Sequence, residues 1–227
     1  MMKGLYLVTP DWDDTRRLLD VTEAALRAGV ALLQYRNKEA TAALRLEQAT
    51  ALLALCRRFG CPLVINDHVD LCLAIDADGV HVGGSDADVA TVRGRLGPDK
   101  IVGASCYGDL GLAYTSYNEG ASYVAFGGFY PSKVKKYPVT TAVGILAASH
   151  SYTPLPVVAI GGMTPENAQP LVAAGADMIA AISSVYLADD PALVVAAFSA
   201  LFVGIGAEDD MENDEENPIP TDEKRLD

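Results

Sequence analysis

A chain of 227 residues, half of them apolar, is long enough to bury a substantial core, which excludes a peptide, a knottin or a fibre repeat. Seventeen Lys and Arg against 30 Asp and Glu give a net charge of −13, and this argues against a nucleic-acid partner, because phosphate backbones reward clustered positive charge. The charge is uneven: residues 207–227 hold ten acidic and two basic side chains, leaving 20 acidic and 15 basic residues and a net of −5 for the rest.

In chain order, short β-rich runs stand at residues 5–8, 31–34, 63–66, 79–82, 101–105, 123–126, 157–160 and 178–182. The first run is too short for a signal peptide and is ended at once by Thr9-Pro10-Asp11. No run approaches the ~18 apolar residues of a spanning helix, so no membrane partner is expected. Between the runs, apolar residues fall at helical spacing, as at Leu18, Val21, Ala25 and Leu26 or at Leu44, Leu52 and Leu55. Most of these intervals are too long for hairpins.

Runs such as Leu63-Val64-Ile65 and Val157-Val158-Ala159-Ile160 are apolar throughout, as parallel strands covered by helices must be. Gly29, Gly120 and Gly175 each stand where a helix should stop before the next strand. Eight such repeats predict an α/β fold, a (β/α)8 TIM barrel. The runner-up is an open doubly wound sheet, but no GxGxxG follows the first strand.

A last helix is expected from Pro191 to about Phe202. Beyond Gly206 the chain is acidic and nearly devoid of large apolar groups, so it cannot offset the ordering of its backbone. We therefore expect residues 1–204 to form one catalytic barrel domain and residues 205–227 an acidic disordered tail. Cys56, Cys61, Cys72 and Cys106 form neither a CxxC pair nor a disulfide framework, which points to a reducing cytoplasm.

In such a barrel the chemistry sits in the loops at the C-terminal ends of the strands. After the second run come Gln34, Arg36 and Lys38. In extended backbone Arg36 and Lys38 point the same way and can grip one polyanion, the Arg bidentately and the Lys as a point charge. Asp67 and Asp86 end neighbouring strands, and two carboxylates at a phosphate-binding mouth suit Mg²⁺, which takes one or two such ligands, waters and substrate phosphates. His68 and His81 are candidate general bases, and His81 lies inside its run, where it can face the barrel interior.

Residues 126–136 join glycines to three lysines and read as a cationic lid after the sixth strand. Gly161-Gly162 follows the seventh strand and Ile182-Ser183 the eighth, the two loops that most often bind phosphate through backbone N–H groups. Each feature alone has a plainer reading: a surface ion pair, a helix N-cap, an ordinary basic loop. Together they predict two anion sites in one mouth and hence two phosphorylated reactants. With no Ser-His-Asp order in view, positioning and leaving-group neutralisation are expected rather than covalent catalysis.

The set Gln34-Tyr35-Arg36-Asn37-Lys38, Asn66-Asp67, His81-Val82-Gly83 with Asp86, Gly103-Ala104-Ser105, Tyr130-Pro131-Ser132 with Lys135, Ile160-Gly161-Gly162 and Ala181-Ile182-Ser183 resembles the thiamine-phosphate synthase family from Met2 to about Phe202. The resemblance implies a Mg²⁺-dependent transferase that joins 4-amino-2-methyl-5-hydroxymethylpyrimidine diphosphate to thiazole phosphate, by a dissociative route through a pyrimidine methyl cation. It further implies that Asp67 and Asp86 ligate Mg²⁺, and that Arg36, Lys38, Asn66, Ser105 and Lys135 bind the departing pyrophosphate. Gln34 would hold the pyrimidine, and Ser132, Gly161, Gly162, Ile182 and Ser183 the thiazole phosphate.

Two positions in the barrel depart from the family: Gly84 stands where Gln is frequent, and Val134 replaces a lid Thr. The acidic tail lies outside the resemblance. The alternatives are a thiazole tautomerase-like isomerase and a non-catalytic barrel that binds thiazole phosphate. A homo-oligomer is compatible with the sequence.

Overall fold

The computed structural model describes residues 2–83, 88–131 and 141–203. Parallel strands β1 (Gly4–Val8), β2 (Leu32–Tyr35), β3 (Leu63–Asn66), β4 (Gly79–Val82), β5 (Ile101–Tyr107), β6 (Tyr123–Gly127), β7 (Val157–Ile160) and β8 (Met178–Ala181) pair in chain order, and β8 closes onto β1. Outside them lie α1 (Thr15–Arg27), α2 (Ala42–Phe59), α3 (Val69–Ile75), α4 (Val89–Leu96), α5 (Leu110–Asn118), α6 (Ile145–Ser149), α7 (Pro165–Ala173), α8 (Ser183–Tyr186) and α9 (Pro191–Ala200). This is the expected (β/α)8 barrel. The tail from residue 204 onward lies outside the described residues.

Strand pleating divides the apolar residues between two cores. One set, including Leu5, Leu7, Leu33, Leu63, Ile65 and Val80, faces outward and packs under the helices. The other fills the barrel: Tyr6, Val8, Leu32, Val64, Tyr123, Ala125, Val158, Met178 and Ala180. The continuous apolar runs in the sequence follow from this two-sided burial.

The helices begin where short acceptors allow. Asp14, Thr41, Asp88, Asp109, Thr164 and Asp190 each take an N–H of the following first turn. Gly29, Gly120 and Gly175, expected as helix stops, have φ of 103°, 92° and 101°, backbone that favours glycine. The element ends differ slightly from expectation. β2 starts one residue later than predicted, β5 runs on past a register shift between Ser105 and Tyr107, and Ile182 leaves β8 to cap α8.

Gly103 carries a stronger constraint. It lies opposite Tyr123 in the β5–β6 register, and a Cβ there would sit 2.0 Å from Tyr123 Cζ and 2.2 Å from its hydroxyl. The missing side chain is the space through which Tyr123 crosses the interior. Gly103→Ala is expected to destabilise the fold by about 1–3 kcal/mol through overpacking. Urea denaturation measures this, and an unchanged midpoint would contradict the placement of Tyr123.

Candidate active site

The C-terminal rim of the barrel gathers the polar residues. Gln34 ends the inward face of β2, Asn66 that of β3, and Ser105 lies near the end of β5. His81, inside β4, is buried and faces the interior as anticipated.

Past β2 the chain is held by residues of the loop after β1. The Thr9 hydroxyl accepts from Arg36 N and donates to Arg36 O, both at 2.8 Å, pinning the two strand ends together. Asp11 takes the Arg36 Nη1 with both carboxylate oxygens, at 3.0 and 2.8 Å, and Oδ1 also accepts from Lys38 N at 2.8 Å. The Arg36 side chain is only 8% exposed, whereas that of Lys38 is 52% exposed and reaches to within 3.7 Å of Asp67 Oδ2. The two cations expected to act alike therefore differ: one is buried and organised by a carboxylate, the other leans over the rim. Asn37 is used structurally, accepting from Ala40 N and donating to Trp12 O.

Asp67 sits at the turn after β3 with φ of 62°, a left-handed conformation that Asp tolerates better than most side chains. Its N–H donates to His81 O at 2.9 Å, and Asn66 Nδ2 donates to its Oδ2. The carboxylate is thus presented beside Lys38.

On the opposite side of the rim the glycine pair packs against the loop after β6. A Cβ on Gly161 (φ 120°) would lie 3.0 Å from Gly128 N, and one on Gly162 (φ 64°) would lie 2.3 Å from Pro131 O. Thr164 and Asn167 form a reciprocal capping box at the start of α7, and Asn167 Nδ2 donates to Gly162 O at 2.9 Å. Ser183 opens α8 directly after β8. Gly161-Gly162 and Ser183 therefore lie at the starts of two short connections into helices, where backbone N–H groups favour anions.

Asp86, Ser132 and Lys135, together with Gly84 and Val134, lie outside the described residues. Among the described residues no group of three His, Cys, Asp or Glu side chains gathers as a metal site.

A connected polar row crosses the interior below the rim. Gln34 Nε2 donates to Tyr6 Oη at 2.5 Å, and the Tyr6 and Tyr123 hydroxyls lie 2.6 Å apart. Tyr123 Oη is 2.9 Å from His81 Nδ1, and His81 Nε2 is 2.9 Å from Ser105 Oγ. Burial pushes both phenols above the usual tyrosine range, so both stay protonated.

Neither tyrosine stood out in the sequence, because each looks like an ordinary strand aromatic. The available signal was Gly103, whose missing side chain marks the path of a large neighbour. Asp11 was overlooked for another reason: Thr9-Pro10-Asp11 reads as the end of an apolar run, and only the fold brings it to the β2 loop. Asp11→Ala is expected to cost roughly 1–3 kcal/mol, since it strands a buried guanidinium. Asp11→Asn, which keeps one acceptor, should cost less. Equal and negligible shifts in urea midpoint would contradict the pairing.

Residues 5–185 match the family model described as thiamine monophosphate synthase. Over 201 residues, 88% of this chain and 97% of the relative, it is 65% identical to the thiamine-phosphate synthase of Janthinobacterium sp. (strain Marseille). It is 47% identical to that of Methylobacillus flagellatus over 88% of this chain and 96% of the relative. Among solved structures, the thiamine phosphate pyrophosphorylase from Pyrococcus furiosus superposes with a TM-score of 0.76 at 30% identity, covering 88% of this chain and 96% of that one. A 3-hexulose-6-phosphate synthase, 19% identical with a TM-score of 0.65 over 88% of this chain and all of that one, shares the fold. The chain belongs to the thiamine monophosphate synthase family of transferases.

Proposed function

We propose that this protein transfers the 4-amino-2-methylpyrimidin-5-ylmethyl group from its diphosphate to thiazole phosphate, giving thiamine phosphate and pyrophosphate. The observation that carries this reading is the placement of Arg36, Lys38, Asn66 and Asp67 on the rim after β2 and β3, with the Gly161-Gly162 loop and the start of α8 on the rim after β7 and β8. Two such arrangements at one mouth would serve two phosphorylated reactants.

In this reading the C–O bond to the diphosphate breaks first, and its electron pair leaves with pyrophosphate. The thiazole nitrogen then donates its lone pair to the pyrimidine methyl cation. Arg36, Lys38, Asn66, Ser105 and Lys135 neutralise and hold the departing charge, and Gln34 orients the pyrimidine. Backbone N–H groups of Gly161, Gly162, Ile182 and Ser183, with the Ser132 side chain, hold the thiazole phosphate.

Asp67 and Asp86 are the residues that would hold Mg²⁺. The donor chemistry of Asp67 fits, a carboxylate at the rim beside the Lys38 ammonium, and Mg²⁺ needs only one or two carboxylates when waters and substrate phosphates complete its shell. Bound there, the ion would supply positive charge to the phosphate oxygens. The four cysteines are buried free thiols, and burial pushes Cys72 and Cys106 up to about 11, which keeps them protonated and outside the chemistry proposed here.

The direct test is pyrophosphate release with both substrates, with and without Mg²⁺, alongside chromatographic detection of thiamine phosphate. Metal-dependent release with matching product is expected; thiazole phosphate bound without release would favour the isomerase or binding-barrel alternative. Asp67→Ala and Asp86→Ala should each lower turnover at least about a hundredfold, as loss of preorganised electrostatic stabilisation does. Their circular dichroism should stay native, and wild-type rates would overturn the metal assignment. Truncation after Gly206 should leave turnover within about twofold, because residues 207–227 hold ten acidic side chains and few apolar ones with which to pack.

A further inference from the structure

The polar row inside the barrel joins the two residues assigned to opposite ends of the pyrimidine diphosphate, Gln34 and Ser105, through three side chains that bear no role so far. Each link is within hydrogen-bond distance, from Gln34 Nε2 to Tyr6, to Tyr123, to His81 and to Ser105 Oγ. A hydroxyl has one proton to give, so the links are not independent. If Gln34 donates to Tyr6, then Tyr6 donates to Tyr123, Tyr123 donates to His81 Nδ1, and His81 donates from Nε2–H to Ser105. The Ser105 proton is then left over. If the Gln34 amide turns over, every link reverses and Ser105 donates to His81 instead.

The two polarities offer different surfaces. In the first, Gln34 presents its carbonyl oxygen and one N–H, which match the amino group and ring nitrogen of an aminopyrimidine, while Ser105 presents a donor to an anion. In the second, Ser105 turns only lone pairs outward, which an anion repels. We propose that Tyr6, Tyr123 and His81 are positioning residues that hold a one-way hydrogen-bond relay, Gln34→Tyr6→Tyr123→His81→Ser105, so that orienting the pyrimidine at one end fixes the Ser105 hydroxyl as a donor to the departing diphosphate at the other. The inference rests on the synthase reading for the roles of its two ends.

Several features of the fold support a fixed relay. The Tyr6 and Tyr123 rings meet edge to face at 86°, with centroids 5.7 Å apart, and the His81 ring lies nearly parallel to that of Tyr123. Tyr6, Tyr123 and His81 are all buried. Gly103 holds open the space that the Tyr123 ring occupies. Burial keeps both phenols protonated, so each has its proton to pass along the row. A buried row of this kind is sensitive to each member, since one missing link leaves its neighbours unsatisfied.

Two measurements test the relay. The chain has three histidines, so ¹⁵N-histidine labelling with His68→Gln and His150→Gln for assignment reads the His81 tautomer in the protein bound to 4-amino-2-methyl-5-hydroxymethylpyrimidine, which carries no diphosphate to release. The relay predicts the neutral Nε2–H form; an Nδ1–H or doubly protonated ring overturns it. The second is a double-mutant cycle on single-turnover pyrophosphate release. Tyr123→Phe should slow release about tenfold in the wild-type background, the size of one neutral hydrogen bond, and by less than about twofold in the Ser105→Ala background.

Equal losses in both backgrounds would mean that Tyr123 serves only the fold and would overturn the relay, as would no loss in either. Should Tyr123→Phe not fold, Tyr6→Phe, one link further from Ser105, makes the same comparison. A wild-type protein that releases no pyrophosphate overturns the synthase reading itself and the relay's role with it. A turning-over enzyme with the wrong tautomer or additive losses overturns the relay alone.

Discussion

Closure of an eight-stranded parallel barrel admits every second residue of each strand to a shared interior, and the rest of this structure depends on that geometric constraint. Because the strands are in fixed register, Tyr6 pairs with Leu32, Asn66 with His81, and Gly103 with both His81 and Tyr123. The lower interior can then be filled with apolar side chains while its upper levels carry polar ones. Two tyrosines bridge the change: their rings belong to the apolar interior and their hydroxyls to the polar row. A shift of one residue in any strand would turn its inward set outward.

The second organising element is the carboxylate of Asp11. Taking Arg36 Nη1 and Lys38 N together, it shapes the loop after β2 before any substrate arrives. A buried guanidinium held in this way loses little freedom on binding an anion, which is the kind of preorganisation that lowers the cost of recognition. Lys38, half in solvent and near Asp67, is the less constrained of the two cations.

Much of this was legible in the sequence, and the reasons are physical. Parallel strands buried on both faces leave apolar runs, so the sequence locates β3 and β7 to the residue, and glycines in left-handed backbone mark the ends of helices. Residues following those runs, such as Gln34, Arg36 and Asp67, could be placed on the rim by topology alone. What could not be read was pairing between strands and between the loops that follow them. Asp11 lies 25 positions from Arg36 and Tyr6 lies 117 from Tyr123, and local spacing carries no information about contacts between residues so far apart in the chain. The register shift after Ser105 was hidden for the same reason.

The central claim is that one barrel mouth holds two distinct anions at once, one on the cationic β2–β3 rim and one on the backbone of the β7 and β8 loops. Calorimetric titration of thiazole phosphate into the protein, alone and saturated with Mg²⁺ and pyrophosphate, tests it most directly. The account predicts one thiazole phosphate per chain in both titrations, with affinity undiminished by pyrophosphate. Competition between the two ligands for a single site would contradict it.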